Sequence, residues 1–190
     1  PAAPPAAAVT NPPTVAGEVY GPPAPPPVWT DAEIATELRV CVGVLAPLQV
    51  EVEMRPPVKE VACGLPAPVA ITRIGPDRVE LQPPPVVNCA MASALHAWLT
   101  GVAQPAAREL LGQPIARLVG TSGYACRNRN GAATTAISEH AFGNAIDLSG
   151  VVLADGRRID VATHWGPAAR DGAAPVGTVG KPTSSPSNAR

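Results

Sequence analysis

The sequence predicts an α+β domain, on three observations. Two stretches, 30–45 and 88–104, begin with a capping residue and carry apolar residues at helical spacing. Short branched apolar runs broken by proline lie between and after them. An Asp-Gly pair at 155–156 sits between two such runs and reads as a hairpin turn.

Residues 1–29, PAAPPAAAVTNPPTVAGEVYGPPAPPPVW, hold too many prolines for helix or ladder, because each removes a backbone donor and fixes φ. This segment is expected to be a disordered, extended Pro/Ala-rich arm, a linker or spacer. In TDAEIATELRVCVGVL, Thr30 is the N-cap and Glu33 its capping-box partner, with Ile34, Leu38 and Cys41 on one face. VEVEMRPPVKEVACGLPAPVAITRIG divides into extended pieces at Pro56, Pro57, Pro66 and Pro68, and RVEL at 78–81 alternates like a strand. Asn88 caps CAMASALHAWLTGVAQ, whose Met91, Leu95, Trp98 and Leu99 share a face. Pro105 opens a second short helix, PAARELL, which Gly112 ends. PIARLVGTSGY is a buried strand, and 144–153 pairs with 157–161 around Asp155-Gly156. After Trp165 periodicity is lost. The expected organisation is therefore a linker at 1–29, a domain at 30–165 and a disordered tail at 166–190.

Fourteen basic and fifteen acidic residues leave a formal charge of −1, which points away from nucleic acid and anionic membranes as partners. No run reaches the length of apolar sequence that a spanning helix needs, so no transmembrane segment is expected. The chain opens at Pro1 with no basic-then-apolar leader, as after signal-peptide removal or in a fragment. Cys41, Cys63, Cys89 and Cys126 lack the close spacing of a zinc ribbon or redox motif and fit a disulfide-permissive compartment. Export to the periplasm or cell envelope is the expected location, with three disulfide pairings open.

The stretch SEHAFGNAID, 138–147, carries the chemistry. A strand over 144–148 puts Ile146 and Leu148 toward the core and Asp147 on the opposite face beside the small Ala145. Gly143 permits a turn that brings His140 over that face. Imidazole and carboxylate are two of the three protein ligands of a catalytic zinc site. The alternative is an Asp–His hydrogen bond within a loop.

The pattern Ser138-x-His140-x-x-Gly143-x-Ala145-x-Asp147 is similar to the S-x-H-x-x-G-x-A-x-D motif of D-Ala-D-Ala zinc metallopeptidases of the M15 and hedgehog type. More closely, the chain resembles the bacterial extensin-like protein C-terminal domain family over roughly residues 35–165. The matching segments are ACGLPAPVAI (62–71), CAMASALHAWL (89–99), QPAARELLG (104–112), SGYACRNRNG (122–131) and SEHAFGNAIDLSG with LADGRRIDV, in that order.

This resemblance implies a small antiparallel sheet with helices packed on one side, an M15/hedgehog-peptidase-like fold. It implies zinc as cofactor, with His140 and Asp147 as metal ligands and Arg127 as the catalytic cation that steadies the substrate carbonyl. Tyr124 and Ser138 are implied at the substrate side, Ser138 also orienting the ligand loop. Peptidoglycan stem peptides or crosslinks are the implied partners. The family pattern continues into an H-x-x-H-x-H-type segment that supplies the third ligand and a general base, and this chain has none. The expectation is a domain truncated at its C-terminus, with an incomplete ligand set and an impaired peptidase activity. A non-catalytic wall-associated binding or structural protein is the alternative. The other imidazoles are His96, expected at a core edge, and His164, expected in an exposed loop; Glu139 is the nearest carboxylate. Any cysteine whose partner belongs to the absent segment is left free.

Overall fold

A computed structural model describes residues 28–132 and 135–164. The arm, apart from its last two residues, and the tail from 166 lie outside the described residues.

Helix α1 (Asp31–Leu45) starts at the expected capping box. Thr30 Oγ1 accepts from Glu33 N, and Glu33 Oε2 accepts from Thr30 N and Oγ1, both at 2.8 Å. Of its expected apolar face only Cys41 is buried; Ile34 is half-buried and Leu38 is exposed. The helix is anchored near its C-terminal end by the Cys41–Cys89 disulfide, so its first turns bury little.

The strands are β1 (Val50–Met54), β2 (Val58–Lys59), β3 (Gly64–Leu65), β4 (Val69–Ile74), β5 (Val79–Gln82) and β6 (Val86–Val87). Their branched residues and the intervening prolines account for the short lengths. Next come α2 (Cys89–Trp98), a π-helical turn (Leu99–Ala103) and α3 (Gln104–Leu111), then β7 (Ile115–Val119), β8 (Gly150–Leu153), β9 (Arg158–Asp160) and the short α4 (Val161–His164). Asn88 caps α2, its side chain accepting from Met91 N at 2.8 Å. Pro105 stands in the first turn of α3, as expected, and Gly112 ends that helix in the left-handed region, but no break separates α3 from α2. The chain stays helical through Pro105 because the preceding turn widens, Gln104 N bonding to Leu99 O five residues back. Widening relieves the clash and the missing donor that proline brings to an α-turn.

The main sheet has seven strands in the order β1-β4-β5-β7-β8-β9, with β6 also paired to β4. Here the expectation of an antiparallel sheet needs correction: β5 and β7 run parallel, Glu80 opposite Arg117 and Gln82 opposite Val119. The long connection from β5 through α2 and α3 returns the chain in the same direction, as a crossover must. The other pairs are antiparallel.

The core gathers Val69, Ile71 and Ile74 of β4, Leu81 of β5, Leu118 of β7 and Leu99 of the π turn, each at most 1% exposed. Truncating one of these to alanine costs roughly 2–5 kcal/mol. Gln104 is buried among them with both amide atoms satisfied, Nε2 donating to Ile115 O and Oε1 accepting from Ile115 N, each at 2.8 Å. It ties α3 to the start of β7.

The hairpin around Asp155-Gly156 is present, but β8 begins only at Gly150. Residues 144–149 form no strand beyond a single bridge from Asp147 to Ser122. Ile146 and Leu148 still pack against the core, as their alternation requires.

Candidate functional site

Two irregular segments, 122–128 and 137–147, build the site side by side. The first is held by bonds to three different neighbours: Tyr124 N to Val86 O (2.7 Å), Ala125 N to His140 O (3.2 Å), and a two-way bridge between Ser122 and Asp147 (3.2 and 3.0 Å). In the second, Ser138 caps a 3₁₀ turn over Glu139–Phe142, its Oγ accepting from His140 N at 3.4 Å. Gly143 ends the turn in the left-handed region, φ 65°. A Cβ there would lie 2.5 Å from Leu65 Cδ2 and 2.7 Å from Asn88 N, so both conformation and space demand glycine. The turn is what sets the His140 ring back over Asp147.

His140 Nε2 lies 3.3 Å from Asp147 Oδ1, with the imidazole side chain 10% exposed and the carboxylate 62% exposed. On the other side of the ring, Nδ1 lies 2.7 Å from the Gly123 carbonyl oxygen. A carbonyl only accepts, so the proton resides on Nδ1 and the Nε2 lone pair of a neutral ring points at a carboxylate. Two lone pairs facing each other repel. A proton on Nε2 or a cation between the two atoms resolves the conflict.

Geometry admits the cation. Tetrahedral zinc with bonds of about 2.0–2.1 Å separates two of its ligand atoms by about 3.3 Å. The anchored Nδ1–H is also the arrangement that zinc-binding histidines use to fix ring and tautomer. His140 and Asp147 therefore fit zinc as two ligands. No group of three His, Cys, Asp or Glu able to hold a metal occurs among the described residues. His164 is exposed at the end of α4, its Nδ1 accepting from Asp160 N at 3.0 Å. His96 is half-buried on α2, and Glu139 accepts from Asn144 Nδ2 at 3.0 Å.

The remaining predicted residues lie on the same two segments. Ser138 is buried, with its hydroxyl engaged in the cap. Arg127 is exposed; its carbonyl accepts from Ser138 N at 3.0 Å, and its guanidinium has no hydrogen bond or ion pair among the described residues. Tyr124 is half-buried and donates its hydroxyl to Glu60 Oε1 at 2.9 Å. Burial first, then the hydrogen bond and charge of Glu60, push this hydroxyl up to about 12.

The sequence gives no hint of several supporting groups. Ser122 donates Oγ–H to Asp147 Oδ2 at 3.0 Å, and Glu60 reaches Tyr124 across 64 residues. The Cys63–Cys126 disulfide joins the same two regions. Among the three pairings the sequence leaves open, the structure has Cys41–Cys89 and Cys63–Cys126, with no free cysteine.

The family model described as "Extensin-like protein C-terminus" matches residues 39–177. No curated protein and no solved structure matches.

Proposed function

The chain belongs to the extensin-like protein C-terminus family, and from that premise we propose an exported protein that holds zinc between His140 and Asp147 and acts on peptidoglycan peptides. The single observation that carries this reading is the His140 ring, flanked by a carbonyl at Nδ1 and a carboxylate at Nε2. Such a ring takes a proton or a cation at Nε2, and the exposed Asp147 leaves room for the cation.

In this reading His140 and Asp147 hold the metal, and bound zinc supplies a Lewis acid for activating water and a peptide carbonyl. Arg127, a solvent-facing cation on the segment that lies against His140, offsets negative charge developing on the substrate carbonyl. Tyr124 stays a neutral hydroxyl at neutral pH and lines the cleft. Ser138 holds the turn that carries His140. Four cysteines in two disulfides suit an oxidising compartment. No helix among the described residues is long and apolar enough to cross a membrane.

A second reading, a wall-associated protein that binds peptide without cutting it, is favoured by one observation. No third metal-ligating side chain joins the pair among the described residues, and catalytic zinc sites use three protein ligands.

Zinc titration of the wild type and of His140→Ala, alongside incubation with purified muropeptides, separates the two. One zinc per chain lost in the variant, with muropeptide cleavage, supports the peptidase. Zinc or muropeptide binding without cleavage supports the second reading. Absence of zinc binding in the wild type overturns the metal centre.

A further inference from the structure

The dipeptide Ser122–Gly123 touches both members of the pair. Gly123 holds the His140 ring through its carbonyl, and Ser122 holds the Asp147 carboxylate through its hydroxyl. We propose that Ser122 is a positioning residue for the zinc site, resting on the zinc reading above: its hydroxyl occupies Oδ2 of Asp147 and leaves Oδ1 for the cation.

An aspartate carboxylate turns freely about its last torsion, which is broad and two-fold. Asp147 is largely exposed, so neighbours packed against it do little to hold that torsion. Ser122 Oγ is the hydrogen-bond donor fixed on the carboxylate by this chain's own side chains, and it selects Oδ2. The other oxygen is then presented to Nε2 at 3.3 Å, the separation that fits a shared tetrahedral ion. Partners of this kind orient metal-ligating carboxylates, and their removal typically weakens metal binding about 10–100-fold.

The backbone makes the inference testable. Ser122 N donates to Asp147 O and Asp147 N to Ser122 O, so the two segments stay in register whatever side chain stands at 122. Ser122 is also exposed, so replacing it leaves no cavity. Threonine and valine share one shape and differ in the hydroxyl alone.

Zinc alone, competed against a chromogenic chelator, is the probe, with the full chain and its disulfides intact. Ser122→Val should weaken zinc binding roughly 10–100-fold while Ser122→Thr stays within about threefold of the wild type. Thermal unfolding of the zinc-free variants should match the wild type. Ser122→Ala removes the hydroxyl without added bulk and should reproduce the valine loss if valine perturbs folding. Equal affinity in wild type, valine and alanine variants, with binding lost in Asp147→Ala, overturns the role of Ser122 and leaves the metal centre standing. Equal weakening in the valine and threonine variants overturns it too, since shape rather than the hydroxyl would then matter. A wild type that binds no zinc overturns the metal centre and this role together.

Discussion

The Gly123 carbonyl accepts the Nδ1 proton of His140 at 2.7 Å, from a position where no side chain fits. A Cβ on residue 123 would stand 2.1 Å from the Val86 carbonyl oxygen, on the backbone of β6. Backbone cannot yield as a flexible side chain would, so the glycine is what lets the 122–124 segment lie close enough to orient the ring.

Gly123→Ala is therefore expected to push that segment off β6 and draw the carbonyl away from Nδ1. The expected loss of stability is about 3 kcal/mol or more, at the high end for one substitution. Urea unfolding measures the loss, and the two ring-nitrogen shifts of His140 report the tautomer. A variant as stable as the wild type, with Nδ1 still protonated, would show that the close approach does not matter.

The hydroxyl of Tyr124 gives a prediction with a defined sign. Its pKa rises from the ordinary 10.0 to about 12, chiefly through burial, with Glu60 adding to the effect. The folded state thus holds this proton more tightly than the unfolded chain. The corresponding stability is fully present below pH 10 and is lost as pH rises through about 12. The chain has two tyrosines, so a phenolate absorbance titration should show a late component that vanishes in Tyr124→Phe. Glu60→Gln should move that component down while leaving it above the ordinary value, because burial is the larger cause.

The two disulfides should separate stability from site integrity. They span 48 and 63 residues, and loop closure of that size is worth about 4 kcal/mol each, less than additive because the loops overlap. Cys41→Ser with Cys89→Ser releases α1 from α2 and should lower the unfolding midpoint without changing zinc affinity. Cys63→Ser with Cys126→Ser frees the segment that carries Gly123 and Arg127, and should lower both. If both double variants retain wild-type zinc affinity, the second bridge has no part in shaping the site.

How much of this was legible in the sequence depends on the range of the interaction. Caps are local, so Thr30 with Glu33 and Asn88 with Met91 stand where the residues indicated. The Asp155-Gly156 turn is local as well. The motif residues His140 and Asp147 are seven apart, and Gly143 between them made their convergence readable. Pro105 and Gly112 bound α3 as the residues indicated, whereas the π-helical turn that joins it to α2 without a break left no local mark. The parallel pairing of β5 with β7 depends on where a 32-residue connection lands, which no local pattern records. Ser122, Gly123 and Glu60 were invisible for the same reason: each acts on a partner brought near by tertiary packing alone.

Asn88 joins the two kinds of interaction, and its two ends can be tested apart. Its Oδ1 caps α2 at Met91 N (2.8 Å), while its Nδ2 donates to Phe142 O (3.1 Å) and to Asn144 Oδ1 in the turn that carries His140. Asn88→Asp keeps an acceptor at the cap, where negative charge is favourable at the helix start, but loses both donor contacts and sets a carboxylate against two oxygens. Asn88→Ala loses everything. The cap is worth about 1 kcal/mol and each neutral hydrogen bond about 0.5–1.5 kcal/mol. Alanine should therefore destabilise the protein by about 2–4 kcal/mol and fray the start of α2, seen as lost amide protection at Met91. Aspartate should preserve that protection while exposing the amides of 141–144 and weakening zinc binding as much as alanine does. Aspartate with wild-type zinc affinity would mean that the turn holds its shape without Asn88, and that Gly143 and the Ser138 cap suffice to place His140.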